Sequence, residues 1–327
     1  MLNWPDMEPP IHVRDSVQQI DADSWLVGRK HVLRRAQGPA EGPCLWVNPS
    51  NTSYYTLTDA PVPQPATTPL FPDGHARQIH DAGDISAVFS FANEIIIKIR
   101  LATASTRREP ETLAFLSKQK LSFDIPTVLS HAEHAGKTYL IEPFVPGTRL
   151  NEAWWDMTEQ EKEHVVTRVA QVCADIRVFE SDAFTNSDAN WMDPLRETPD
   201  DRVGVVQQQC VALGMDCSVF VLAHNDLGPT NIIVDGDRVV VIDWEMAGYV
   251  PLEWVRTKFA ICGVFGVERV HRQPDGECPV RVERNGEYPM RVERGLGEMG
   301  FPEVTAAYKR MDDMREVEWK KSRPWLQ

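Results

Sequence analysis

A strand, a loop and a hairpin are written into residues 218–243, and no other stretch constrains the fold as much. Residues 218–223 are a short apolar run that reads as a buried strand. It delivers His224 and Asp226 to the loop His224-Asn225-Asp226-Leu227-Gly228-Pro229-Thr230-Asn231, of the form H-x-D-x-x-x-x-N. Gly228 and Pro229 stop that loop from continuing as helix or strand. Residues 231–234 and 238–242 are β-rich runs around Asp235-Gly236, a strong hairpin signal. A hairpin folds its ends together, so Asn231 and Asp243 are expected to meet. One amide oxygen and one carboxylate then face one site. That set suits Mg²⁺, a hard cation that also takes phosphate oxygens and water.

Each of these residues also has a plainer reading. An Asp before Leu-Gly-Pro is common turn chemistry. An Asn at a strand start is a common cap, and Asp243 could be a buried carboxylate with a structural partner. In this order and context, the three together favour a catalytic loop. His224 is expected to hold the loop by hydrogen bonds rather than to carry protons.

Composition bounds the partners. At 327 residues the chain has room for two modest lobes or one large domain. Its formal net charge of −14 disfavours nucleic acid and anionic membrane. The charge would suit a cationic substrate, although solubility alone also accounts for it. No apolar run reaches the length of a membrane span, and residues 1–6 do not read as a signal peptide. The six cysteines form no Cys-x-x-Cys pair. They read as reduced thiols of a cytoplasmic protein without a zinc site.

Residues 1–75 read as an N-terminal extension with no assignable chemistry. Within it, 25–34 reads as a strand or short helix and the Pro-rich 61–72 as an extended loop or linker. A small, mostly antiparallel lobe follows over 76–145. Residues 86–91 and 94–99 are expected to pair around Ala92-Asn93. Residues 106–118 read as a helix with Pro110 in its first turn. Residues 125–129 and 137–141 read as strands, and 142–147 breaks the sheet. Residues 146–327 read as a mainly helical lobe. There 158–179 opens with Thr-Glu-Gln-Glu and repeats Val165, Val166, Val169, Val172, Cys173 and Ile176 at helical spacing. Residues 181–202 read as a polar loop and 252–261 as a helix. Residues 279–294 hold two similar six-residue copies, too few for a solenoid. The charge-rich tail reads as a solvated helix face. The expected class is α+β. Lys98 stands mid-strand among apolar residues. Alone it could be an edge residue with its head in water or a ligand for phosphate.

The spacing of Asp226, Asn231 and Asp243 resembles that of protein kinases, with Ile242-Asp243-Trp244-Glu245 in place of Asp-Phe-Gly. This variant resembles the aminoglycoside phosphotransferase and choline kinase branch. Residues 242–248, 251–254, 25–34 and 106–116 look like the phosphotransferase enzyme family of filamentous fungi. The resemblance spans about residues 20–320 and is most specific over 221–254. It implies a protein kinase-like two-lobed fold, with ATP, Mg²⁺ and a small-molecule hydroxyl substrate. It implies that Asp226 is catalytic, taking the acceptor's proton, and that Asn231 and Asp243 hold the metal. Lys98 would neutralise phosphate charge. Glu109 would pair with it, because Arg108-Glu109-x-x-Thr112-Leu113 resembles the family's helix start; Glu111 is the alternative. The backbone from Glu142 through Phe144 to Val145 would meet adenine. The chain departs from the kinase pattern at the phosphate loop. Gly-x-Gly-x-x-Gly is absent and only Gly83-Asp84-Ile85-Ser86 precedes the strands, leaving backbone amides and Ser86 for the phosphate oxygens. The expectation is an ATP-dependent O-phosphotransferase acting on a small molecule. The alternative is a non-catalytic nucleotide-binding or scaffold member of the fold. A protein kinase is disfavoured, since Ala-Pro-Glu and an activation segment are absent after Asp243.

Overall fold

The computed structural model describes residues 11–185, 203–271 and 281–322. The chain divides into two compact units, Met1–Ser117 with Pro126–Val145, and Lys118–Ile125 with Pro146–Gln327.

The first unit is built on two five-stranded antiparallel sheets. One comprises β1 (Val17–Asp21), β2 (Ser24–Val27), β3 (His31–Gln37), β4 (Trp46–Val47) and β5 (Ser53–Asp59), in the order β1-β2-β3-β5-β4. The other comprises β6 (Ala76–Asp81), β7 (Ser86–Phe91), β8 (Ile95–Leu101), β9 (Ser130–His134) and β10 (Lys137–Pro143), in the order β6-β7-β8-β10-β9. Residues 25–34 are thus strand, turn and strand. Residues 61–72 contain no named strand, and Thr68 bridges to Gln19 through two backbone bonds of 2.9 Å. Ala92 and Asn93, at φ 52° and 54°, turn β7 into β8, as the sequence suggested.

Period-two alternation explains how the second sheet is used. Ala87, Phe89 and Phe91 of β7, Ile95, Ile97 and Ile99 of β8, and Tyr139 and Ile141 of β10 share one face. They form one core with Val17, Trp25, Leu33 and Tyr55 of the N-terminal sheet. The opposite face carries Ser86, Lys98, Arg100 and Glu142. Lys98 pairs with Val88 and Leu140, Ser86 with Arg100, and Glu142 with Ile96.

A polar hub fastens the two sheets. The Glu94 carboxylate accepts hydrogen bonds from Arg35 Nε (2.8 Å), Asn48 Nδ2 (3.1 Å), Ser53 Oγ (2.5 Å) and Tyr55 OH (3.0 Å). All four donors come from the first sixty residues, so the segment that reads as an extension shares both core and hydrogen bonds with the strands that follow.

Two local expectations are corrected. The helix α1 (Ala104–Leu116) begins before Thr106, because Thr103 caps it in a reciprocal box with Thr106. Pro110 therefore lies beyond the first turn. Residues 125–129 form no strand; only Asp124 makes an isolated parallel bridge, to Val240. Pro126 has no N–H to add to a ladder.

The second unit is mainly helical among the described residues. Its helices are α2 (Leu150–Ala153), α3 (Glu159–Ile176), α4 (Val203–Ala212), α5 (Leu252–Ile261), α6 (Glu287–Glu298) and α7 (Thr305–Ser322). Thr158 and Glu161 form a capping box at the start of α3, and Val165, Val166, Val169, Val172, Cys173 and Ile176 are buried. Short strands position the loops. β11 (Thr148–Arg149), β14 (Ile232–Asp235) and β15 (Arg238–Val241) form one sheet. A second holds β12 (Glu180–Ser181), β13 (Phe220–Ala223) and β16 (Gly248–Val250), and β17 (Val267–His271) pairs antiparallel with β18 (Arg281–Asn285). The two similar six-residue copies take different structures, since 281–284 is strand and 289–294 is helix; 279 and 280 lie outside the described residues. Most of the expected polar loop, 186–202, also lies outside them. Among the described residues no helix is long and apolar enough to cross a membrane.

Candidate active site

The loop after β13 is held at successive residues. β13 is wholly buried, and its last residue, Ala223, pairs with Gly248 of β16. A Cβ at Gly248 would come within 2.0 Å of the Thr185 carbonyl oxygen, so this close approach requires glycine. His224 follows, almost fully buried. Its Nδ1 accepts the Asp226 backbone N–H at 3.2 Å, so Nε2 carries the proton that is donated to the Ile242 carbonyl at 3.0 Å. The ring also meets Trp244 edge-on, with centroids 4.6 Å apart. Asn225 sits at φ 64°, a left-handed conformation that Asn tolerates better than most residues. Its amide donates to Met246 O at 3.1 Å, and its carbonyl accepts from Lys258 Nζ. The Leu227 carbonyl accepts from Tyr288 OH at 2.9 Å.

Asn231 is bound to the loop it ends. Its Nδ2 donates to both the backbone carbonyl and Oδ2 of Asp226, each at 2.8 Å. Both bonds use the amide nitrogen, which turns the amide oxygen, the atom suited to a hard cation, to its other side. The β14–β15 hairpin turns at Gly236-Asp237, with Asp235 opposite Arg238. It closes with Ile242 N donating to Asn231 O at 2.9 Å, which sets Asp243 beside Asn231. Asp243 itself stands at φ 68°, ψ 61° and starts the short turn Trp244–Met246. Asp226 and Asp243 are both half-buried. The hairpin brings the three acidic and amide residues of the sequence motif into one place.

In the first unit, Lys98 is not an edge residue. β8 is the central strand of its sheet, and Lys98 is 5% exposed. Its ammonium lies 2.9 Å from Glu109 Oε1 and 3.1 Å from Glu142 Oε2. Arg100 donates to the other oxygen of Glu109 at 2.7 Å. Glu109 is thus the helix partner; Glu111 is exposed and makes none of these bonds. Two cations and two carboxylates balance one another in a nearly dry cluster. Burial pushes the Glu142 carboxyl up to about 7. The Lys98 charge opposes that rise and the Glu109 charge adds to it. Sequence reasoning assigned only the backbone of Glu142. The signal it passed over was period-two alternation, which puts Glu142 on the Lys98 face. The Phe144 N–H is already donated to Glu94 O at 2.9 Å. Ser86 opens β7 on the same face as Lys98, half-buried. The loop before it turns at Gly83, φ 66°, and its Asp84 pairs with His12 at 2.9 Å.

Lys258 and Tyr288 were not singled out from the sequence. Each reaches the loop from a helix distant in sequence, and neither carries a local motif.

Residues 94–254 match the model of the phosphotransferase enzyme family. That segment contains Lys98, Glu109, Glu142, Asp226, Asn231 and Asp243. The chain is similar to the streptomycin–ATP–APH(2")-IIa ternary complex, with 18% identity and a TM-score of 0.49 over 75% of this chain and 83% of that one. It is similar to ADP-bound APH(2'')-Ib at 17% identity and a TM-score of 0.47, over 75% and 83%. It is also similar to APH(3'')-Id from Streptomyces rimosus at 20% identity and a TM-score of 0.42, over 59% and 78%. No curated protein matches the chain.

Proposed function

We propose that this protein is a cytoplasmic, ATP- and Mg²⁺-dependent phosphotransferase whose acceptor is a hydroxyl of a small molecule. The observation that carries the reading is the pair of hydrogen bonds that Asn231 Nδ2 donates to Asp226, together with the Ile242–Asn231 closure that sets Asp243 alongside.

The donor set fits Mg²⁺. Asn231 and Asp243 supply an amide oxygen and a carboxylate, both hard ligands. Two protein groups suit a cation that keeps waters and phosphate oxygens. Bound there, Mg²⁺ would neutralise charge on the transferring phosphoryl group. Asp226 would orient the acceptor hydroxyl and accept its proton. Its Oδ2 is held by Asn231, which fixes the plane of the carboxylate. Lys98 would neutralise phosphate charge, positioned by Glu109 and Glu142. With Pro143 lacking an N–H and that of Phe144 engaged, the donor for the adenine edge falls to Val145. Positioning and charge neutralisation, rather than covalent catalysis, supply the rate.

One observation favours a second reading, a nucleotide-binding or scaffold protein that does no chemistry. The Lys98 ammonium is already met by two buried carboxylates. The experiment that separates the two is Mg²⁺–ATP binding by thermal shift, followed by γ-labelled ATP with a library of hydroxylated metabolites. Binding with label transfer supports the enzyme. Binding without transfer to any acceptor supports the second reading, and absence of binding defeats both.

A further inference from the structure

We propose that Lys258 is a positioning residue of the phosphotransfer site, aligning Asp226 and Asp243 through a single line of hydrogen bonds; the catalytic part rests on the reading of Asp226 given above.

Lys258 projects from α5 and is only 5% exposed. Its ammonium donates to the Asn225 carbonyl and lies 5.5 Å from the centroid of the Phe265 ring. Burying a lysine costs desolvation and rotamer freedom that a methionine of similar length would not. A cation kept there points to an electrostatic task.

The task follows from which peptide it grips. The Asn225 carbonyl and the Asp226 N–H belong to the same peptide group. Lys258 holds the oxygen end, and His224 Nδ1 holds the hydrogen end at 3.2 Å. Orientation of that plane sets the direction in which the Asp226 side chain leaves the backbone. The plane needs holding, because Asn225 sits at φ 64°. The line continues. His224 Nε2–H donates at 3.0 Å to the Ile242 carbonyl, which shares its peptide group with the Asp243 nitrogen. Lys258, one peptide, one imidazole and a second peptide thus connect the two aspartates. A charged donor at the head of such a chain strengthens each bond along it.

The test uses the full chain with Lys258→Met and Lys258→Gln, compared by hydrogen–deuterium exchange and by turnover. Without the ammonium, amides of residues 224–231 should exchange about tenfold faster while those of α3 stay unchanged, as expected for local rather than global opening. Turnover should fall about 10²-fold in kcat, the scale expected for a misplacement of about 1 Å, a larger change than any in KM for ATP. Lys258→Gln keeps a neutral donor and should fall between wild type and Met. It carries the test alone should the Met variant not fold. Wild-type loop exchange in either folded variant overturns the proposal. So does exchange raised equally in α3 and the loop, which marks a merely structural lysine. If the wild type transfers no phosphate, the functional reading fails instead, and the exchange measurement still decides whether Lys258 holds the loop.

Discussion

Glu94 offers the sharpest test of how the first unit is held together. Glu94→Ala removes an acceptor that four side chains share, Arg35, Asn48, Ser53 and Tyr55. The Arg35 side chain is only 10% exposed and that of Glu94 12%, so the guanidinium is left largely desolvated without its closest counter-charge. Breaking a buried ion pair from one side costs about 3–5 kcal/mol, and the residual exposure places the expected loss near the lower figure, about 3 kcal/mol. Glu94→Gln keeps the shape and loses the charge, for about 1–2 kcal/mol. The loss should depend on pH. Burial pushes the Glu94 carboxyl up, but hydrogen bonds from Arg35, Ser53 and Tyr55 and the Arg35 charge outweigh it. The net effect holds the carboxyl below its ordinary 4.5. The unfolded chain therefore binds more protons between the two values, and stability rises with pH there. The hub's contribution is complete above the unfolded value and fades as pH falls through the folded one. Urea unfolding of both variants at neutral and acid pH, with exchange read in β3 and β5, measures it. A cost below about 1 kcal/mol, or one that does not shrink in acid, would refute the hub as the fastening of the N-terminal sheet.

Further outcomes follow from the two candidate clusters. Asp243→Ala should abolish the Mg²⁺-dependent part of ATP stabilisation, which for wild type is about 2.7 kcal/mol at a hundred times Kd; unchanged Mg²⁺–ATP affinity in the folded variant contradicts the metal assignment. Lys98→Met should weaken ATP more than adenosine by calorimetry, and equal loss of both marks the lysine as structural. Glu142, raised by burial to about 7 from 4.5, keeps its proton longer in the folded state, so its contribution is complete below pH 4.5 and is lost as pH rises through about 7. Wild type should therefore lose stability between pH 6 and pH 8, and Glu142→Gln should flatten that slope in thermal melts. Gly248→Ala should cost about 2 kcal/mol or more in urea unfolding, because its Cβ meets the Thr185 carbonyl at 2.0 Å; a neutral substitution would show that the segment carrying Thr185 gives way easily.

The motif around Asp226 was legible because its geometry is local. An apolar strand, a loop with Gly and Pro, and a two-residue turn bring Asn231 to Asp243 without help from elsewhere. α3 was legible for the same reason, with a capping box and an apolar stripe in one window. Long-range partners were not. Alternation puts Glu142 on the Lys98 face, but that the two side chains meet depends on the register of β10 on β8, which sequence spacing does not fix. Lys258 and Tyr288 reach the loop across stretches of 33 and 61 residues. The N-terminal sheet was hidden by short strands whose apolar positions, such as Trp25, Leu33 and Tyr55, find their partners on β7 and β8. Pro110 was misplaced because Thr103 looked like an ordinary residue until its reciprocal bond with Thr106 was seen.

The most direct test of the central claim is phosphoryl transfer by Asp226→Asn against wild type, with γ-labelled ATP, Mg²⁺ and a small-molecule acceptor that wild type phosphorylates. Asparagine keeps the shape of the side chain and removes the proton-accepting oxygen. Single-turnover transfer should fall by about 10²- to 10⁴-fold, with ATP affinity on the same sample nearly unchanged. Transfer at the wild-type rate by the folded variant would contradict the assignment of Asp226 as the group that takes the acceptor's proton.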